Sequence, residues 1–203
     1  IHPEEESLRM AEVVHQLSEL NKKRNDLIVV TDVGQHQMVT ARYFHYQDPR
    51  TNVTSGGLGT MGFGLPAAIG ASLGAPEKTV VAIIGDGGFQ MTLQELGTIL
   101  QFQLKVKILI LNNNFLGMVR QWQQLFFDRR YSFTEIVNPN FCAIAAAYGV
   151  EAKQVHEREA LESVLNDFLS SPESYLLECV VKQEDNVFPM VETGASVAEI
   201  RLN

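Results

Sequence analysis

Cysteine is scarce in this sequence: Cys142 and Cys179 are the only two among 203 residues. That argues against a disulfide-stapled scaffold or a cysteine metal centre, and two reduced, buried thiols are expected. Long apolar runs are missing too. None reaches the ~20 residues of a membrane-spanning helix, and no basic-then-apolar leader opens the chain. A cytoplasmic protein without a membrane partner is expected. Positive charge is in deficit: 16 Lys and Arg stand against 24 Asp and Glu, a formal net charge of −8. That is the wrong sign for a nucleic-acid partner. Repeats, low-complexity tracts and linkers are absent, so residues 1–203 are expected to form one domain, with 183–203 as a polar tail. The first residue is Ile1 rather than Met, which fits a fragment of a longer protein.

Two apolar runs are present, each ending in a short polar pattern. Val80-Val81-Ala82-Ile83-Ile84 leads into Gly85-Asp86-Gly87-Gly88-Phe89. Val106-Lys107-Ile108-Leu109-Ile110-Leu111 leads into Asn112-Asn113-Asn114. Both runs are rich in β-branched residues and lack polar alternation, as strands buried on both faces of a parallel sheet do. Residues 92–103 between them suffice for one crossover helix, so a right-handed strand–helix–strand unit with adjacent strands is expected. Asp86 and Asn113 then lie just past the carboxyl ends of neighbouring strands, where open α/β sheets bind ligands. A carboxylate and an amide oxygen are hard donors suited to Mg²⁺, which takes further oxygens from phosphate and water. Gly85, Gly87 and Gly88 leave backbone N–H groups free to approach a phosphate. The residues by themselves point to a diphosphate held through a metal ion.

Gly85-Asp86-Gly87 followed by Asn112-Asn113 resembles the thiamine diphosphate and Mg²⁺ motif of thiamine-dependent enzymes. Three flanking segments narrow the likeness: Gly34-Gln35-His36-Gln37-Met38, Gly56-Gly57-Leu58-Gly59-Thr60-Met61-Gly62 and Gly117-Met118-Val119-Arg120-Gln121-Trp122-Gln123. With residues 187–191 they are similar to the C-terminal third of acetolactate synthase catalytic subunits. The resemblance implies an α/β thiamine diphosphate-binding fold, a mostly parallel sheet with helices on both faces. It implies Asp86, Asn113 and the backbone oxygen of Phe115 as metal ligands. It implies Gly34, Gln35, His36, Gly85, Gly87 and Gly88 at the cofactor's diphosphate, and Gly59 and Met61 at its aminopyrimidine. Gly117 and Met118 would lie near the thiazolium, and Met118 and Trp122 at the substrate. Gly88 departs from the serine common in relatives, and Asn114-Phe115-Leu116 is more apolar than usual.

The implied reaction joins two pyruvates, or pyruvate and 2-ketobutyrate, with loss of CO₂, in branched-chain amino acid biosynthesis. The family's activating glutamate belongs to an N-terminal domain contributed by a homodimer partner. No catalytic residue is therefore expected in this chain, which should be inactive alone. FAD belongs to a middle domain of the family and is not expected to bind here. The implied partners are the remaining domains of the same subunit, a second subunit and a small 2-ketoacid, with room for a regulatory small subunit. Pyruvate oxidase or another thiamine-dependent decarboxylase is the alternative, and a non-catalytic phosphate-binding module a third reading.

Periodicity supplies the remaining elements. Residues 4–24 read as a helix with Met10, Val13, Val14 and Leu17 on one stripe. Residues 27–30 read as a buried strand, 35–44 as a helix and 50–55 as a short strand. Pro66 should open a helix running to Ala75. Residues 115–127 read as a loop entering a helix. Asn138 should cap a helix with Pro139 in its first position and Gly149 at its end. An outer strand at 150–155, a helix at 158–169 and a last strand at 175–181 complete the alternation. Glu95 is read as helix surface, not as an acid in the chemistry.

Overall fold

A computed structural model describes residues 7–202. Six strands form one parallel sheet: β1 (Leu27–Thr31), β2 (Asn52–Thr54), β3 (Thr79–Gly85), β4 (Val106–Asn112), β5 (Glu151–Val155) and β6 (Tyr175–Val180). Their order is β2-β1-β3-β4-β6-β5, with every neighbouring pair parallel. From β1 the chain steps outward to β2, then returns to place β3 on the other side of β1. The order reverses between β1 and β3, the kind of switch point where α/β sheets open a ligand crevice.

Both faces of the sheet are covered, which explains why the strand sequences do not alternate. Val29, Val81, Ile83, Leu109, Leu111 and Leu177 enter one core with helices α1 (Met10–Arg24) and α8 (Leu161–Ser170). Val30, Val80, Ala82, Ile84, Ile108 and Ile110 enter the other, with α3 (Gly64–Gly74) and α7 (Phe141–Ala147). Consecutive residues point to opposite faces, and here both faces are apolar. β5 lies at the edge, and its Glu151, Lys153 and Gln154 are exposed, as suits a strand that must discourage further pairing.

Several expected boundaries move, each for a local reason. Of the helix expected at 4–24, residues 4–6 lie outside the described residues and Ser7 to Arg9 are not helical. The helix begins at Met10, where Glu12 reaches back to accept from the Arg9 N–H at 2.9 Å. α2 (Gln35–Tyr43) stands as expected within one residue. α3 starts at Gly64, two residues before Pro66, because a distant side chain caps it. The Asp32 carboxylate accepts from the Gly62 N–H at 3.1 Å and the Gly64 N–H at 2.7 Å. Pro66 falls within the first turn, where a missing N–H costs nothing.

The crossover between β3 and β4 is not one helix at 92–103. It is α4 (Asp86–Thr92), a 3-10 turn at Leu93–Glu95 and α5 (Leu96–Phe102). α4 begins at the strand end itself, and Thr92 leaves helical geometry at φ −137°, ψ 18°. The cap of α7 is Asn140, not Asn138: its side chain accepts from the Ala143 N–H at 2.9 Å. Pro139 therefore precedes the helix. Cys179 is buried and free, whereas Cys142 is free but only half-buried. Among the described residues no helix is long and apolar enough to cross a membrane.

Candidate functional site

Three strand-end loops meet at the carboxyl rim around one cleft. The loop after β1 brings Gly34, Gln35 and His36, and the loop after β3 brings Gly85, Asp86, Gly87 and Gly88. The loop after β4 brings Asn113, Phe115, Gly117 and Met118, and Met61 closes one side. The register between β3 and β4, with Gly85 opposite Leu111, makes this meeting inevitable. Asp86 and Asn113, 27 positions apart in sequence, thus line one cleft on one rim.

The Asp86 carboxylate is 1% exposed. It accepts from Asn138 Nδ2 at 2.7 Å, and the backbone N–H groups of Gly87 and Asn114 lie near enough to favour its charge. Burial nevertheless pushes its pKa up to about 6, more than those donors hold it down. A divalent cation would reverse that balance and keep it ionised. Asn113 Oδ1 accepts from the Phe115 N–H at 3.2 Å, which folds the loop back on the cleft. Among the described residues no group of three His, Cys, Asp or Glu is placed to hold a metal. A cation here would depend on one carboxylate, amide and backbone oxygens and the ligand's own oxygens, a donor set that suits Mg²⁺.

His36 is 5% exposed, and its Nε2 has no hydrogen-bond partner among the described residues. Burial drives its pKa down to about 4, against a smaller opposing pull from the Asp32 charge and backbone. A neutral imidazole beside the cleft thus keeps one ring nitrogen open to a ligand or an ordered water. Close approach also explains two of the glycines. A Cβ on Gly85 would lie 2.8 Å from His36 Nδ1, and one on Gly117 would lie 2.1 Å from Gln35 Oε1. Gly88 is equally confined, with 2.7 Å from a Cβ to Asp32 Oδ1. A serine at that position would therefore press on Asp32.

Two expected residues lie away from the cleft lining. Gly59 sits at φ +64° in an exposed turn, its nearest neighbour being Val33. Trp122, half-buried on α6 (Gly117–Phe126), packs against Phe126 with ring centroids 4.7 Å apart and planes tilted by 52°. It lines an adjoining depression that shares Val119 with the cleft. Glu95 takes no place in the cleft lining.

Four residues that sequence reasoning missed organise the site. Asp32, fully buried, accepts from Val33, Gly62 and Gly64 and so ties the glycine-rich segment to the end of β1. Gln121, also fully buried, accepts from Gln35 Nε2 at 2.9 Å and from the Val187 N–H at 2.9 Å. The two N–H bonds of Asn138 Nδ2 are shared among three acceptors, Asp86 Oδ2, Asn112 Oδ1 and Asn114 Oδ1. Glu178 is the fourth, a carboxylate 3% exposed inside the apolar strand β6. A single charge within such a strand was the one legible signal among them.

The model of the thiamine pyrophosphate enzyme C-terminal TPP binding domain matches residues 32–179. The chain belongs to that family. Curated relatives agree with this placement. The chain is 48% identical over 189 residues to the acetolactate synthase isozyme 2 large subunit of Escherichia coli, covering 93% of this chain and 34% of the relative. It is 47% identical over 191 residues to the mitochondrial acetolactate synthase of Schizosaccharomyces pombe, covering 92% and 29%. It is 42% identical over 193 residues to the acetolactate synthase large subunit of Lactococcus lactis, covering 95% and 33%. The chain thus spans about a third of the length of the relatives it matches. As a thiamine pyrophosphate-binding domain, it carries its two motif halves at the ends of adjacent strands.

Proposed function

We propose that this chain forms the diphosphate-holding domain of an acetolactate synthase, which decarboxylates one 2-ketoacid and joins the remainder to another. The observation that carries the reading is the convergence of Asp86, Asn113 and Phe115 on one cleft beside the partnerless His36 nitrogen. In this reading the Asp86 carboxylate, Asn113 Oδ1 and the Phe115 carbonyl hold Mg²⁺. Gln35, His36 and the backbone around Gly34, Gly85, Gly87 and Gly88 hold the diphosphate. Gly59 and Met61 offer backbone to the aminopyrimidine, Gly117 and Met118 flank the thiazolium, and Met118 and Trp122 face the 2-ketoacid.

When bound, thiamine diphosphate supplies the nucleophilic carbon and the electron sink that the decarboxylation requires. The work of this chain is to bind, orient and dehydrate. Buried Asp86 and neutral His36 make a dry, polar rim suited to a charged diphosphate only when a cation accompanies it. Residues 1–203 act as one domain in this reading, with 183–203 as its tail. The activating glutamate, any FAD and any small regulatory subunit belong to the remaining domains and partner chains of a dimer. Two free thiols, one fully buried, suit a reducing, cytoplasmic setting.

A melting experiment tests the reading. Mg²⁺ with thiamine diphosphate should stabilise the intact protein, by about 2.7 kcal/mol at a hundredfold excess over Kd. Asp86→Ala should abolish the effect. Pyruvate should be turned over by the full-length enzyme and not by residues 1–203 alone. Stabilisation by a nucleotide instead of thiamine diphosphate would refute the assignment, as would unchanged stabilisation of Asp86→Ala.

A further inference from the structure

The mechanism proposed above leaves one buried carboxylate without a task. Glu178 lies in the middle of the sheet, opposite Ile110 of β4 and Gln154 of β5. It is 3% exposed, and no ion pair to it is found among the described residues. Its Oε1 accepts from Asn112 Nδ2 at 2.7 Å and its Oε2 from Gln154 Nε2 at 2.9 Å. A buried carboxylate held only by amides is costly, so its position needs a reason.

The reason lies two bonds further on. Asn112 Oδ1 accepts from the Asn114 N–H at 3.0 Å and from Asn138 Nδ2 at 3.1 Å. Asn138 Nδ2 donates in turn to Asp86 Oδ2 at 2.7 Å and to Asn114 Oδ1 at 2.9 Å, while Asn138 Oδ1 accepts from Gln90 Nε2 at 2.7 Å. Every amide in this chain has a fixed sense. A backbone N–H only donates and an ionised carboxylate only accepts. Glu178 on one side and the Asn114 N–H on the other therefore hold Asn112 with its NH₂ toward Glu178 and its carbonyl toward Asn138. That carbonyl holds the Asn138 NH₂ in place against Asp86. Were Asn112 reversed, its NH₂ would face two donors in a buried site.

We infer that Glu178 is a positioning residue for Asp86, acting through the amides of Asn112 and Asn138. It touches neither cation nor cofactor. It sets the polarity of the network that presents the Asp86 carboxylate to a cation. The inference rests on the proposed Mg²⁺–diphosphate site. Outer partners of this kind commonly change metal affinity by about 10- to 100-fold when removed.

The test is Mg²⁺ titration of the intact protein with thiamine diphosphate, read by calorimetry, with the Mg²⁺-free melting temperature recorded for each variant. Glu178→Leu should weaken Mg²⁺ binding by about 10-fold or more. The double variant Glu178→Gln with Gln154→Glu should bind close to wild type. In it the new Gln side chain can offer its carbonyl to Asn112 and donate its NH₂ to the new carboxylate on the exposed edge strand. Wild-type affinity in Glu178→Leu would overturn the inference. So would a double variant that melts like wild type without Mg²⁺ yet binds it weakly, since the charge and not the acceptor sense would then matter. The double variant carries the test by itself if Glu178→Leu does not fold. Absence of Mg²⁺-dependent cofactor binding in the wild type would instead overturn the functional reading beneath it.

Discussion

Gly117 has no room for a methyl group. A Cβ there would fall 2.1 Å from Gln35 Oε1 and 2.9 Å from Asn113 Nδ2, both on buried side chains. Gln35 is pinned to Gln121 at 2.9 Å, so it cannot swing aside without breaking that bond. Gly117→Ala should therefore displace Asn113 and weaken Mg²⁺-dependent cofactor binding by at least ~10-fold, the usual cost of disturbing a ligand's support. Unchanged calorimetric titration of that variant would show the loop to be softer than this. His36 makes a separate prediction about pH. Its folded pKa of about 4 lies below the 6.5 of a free imidazole. Between those values the unfolded chain binds more protons, so stability rises with pH there. The contribution is fully present above 6.5 and is lost as pH falls toward 4. Its slope across that window is at most roughly 1.4 kcal/mol for each pH unit. Asp86, raised to about 6, works in the opposite sense over an overlapping range, favouring the fold at low pH. Wild type and His36→Gln should therefore be compared by urea denaturation at pH 4.5 and 7.5. The stability difference between them should move in the variant's favour at the lower pH; a constant difference would mean that His36 is not held neutral.

At the level of elements, what the sequence made legible was whatever its own residues decide. The runs at 80–84 and 106–111 read as buried strands because both faces of the sheet are apolar, and they are β3 and β4 in adjacent register. Helix starts were harder to read, because their caps come from far along the chain. Nothing near Pro66 reveals that Asp32 accepts from Gly62 and Gly64 and starts α3 early. Asn138-Pro139 reads as a cap, yet the Asn138 side chain is drawn away to Asp86, leaving Asn140 to cap α7. This reassignment is testable. Asn140→Ala should cost about 1 kcal/mol of stability, the ordinary worth of an N-cap, and leave Mg²⁺ affinity intact. Asn138→Ala should reduce Mg²⁺ affinity. The reverse pattern, in urea titration and calorimetry, would restore the assignment read from sequence. Core strands carry more of the stability: Ile83→Ala, at a fully buried site, should cost about 2–5 kcal/mol.

For the whole molecule, the sheet order explains why one rim holds the chemistry. The strand order reverses between β1 and β3, and the loops leaving β1, β3 and β4 are the ones that close on the cleft. The polar tail expected beyond residue 183 is tied into this arrangement. Gln121 bonds both Gln35 and Val187, and Val187 and Met190 are buried. Gln121→Ala should raise amide hydrogen exchange both near Val187 and near Gln35, coupling tail and cleft; faster exchange in the tail alone would separate them. The motif pair was visible in the sequence, but the amides that orient it were not, because they meet only when β4, β6 and the segment before α7 are folded together. The central claim is that Asp86 and Asn113 hold a diphosphate through a shared cation. Calorimetric titration of the intact protein with thiamine diphosphate, with Mg²⁺ and with a chelator, tests it most directly. Saturable binding is expected only with Mg²⁺, and should be lost in both Asp86→Ala and Asn113→Ala. Equal binding under chelation, or undiminished binding in either variant, would contradict the claim.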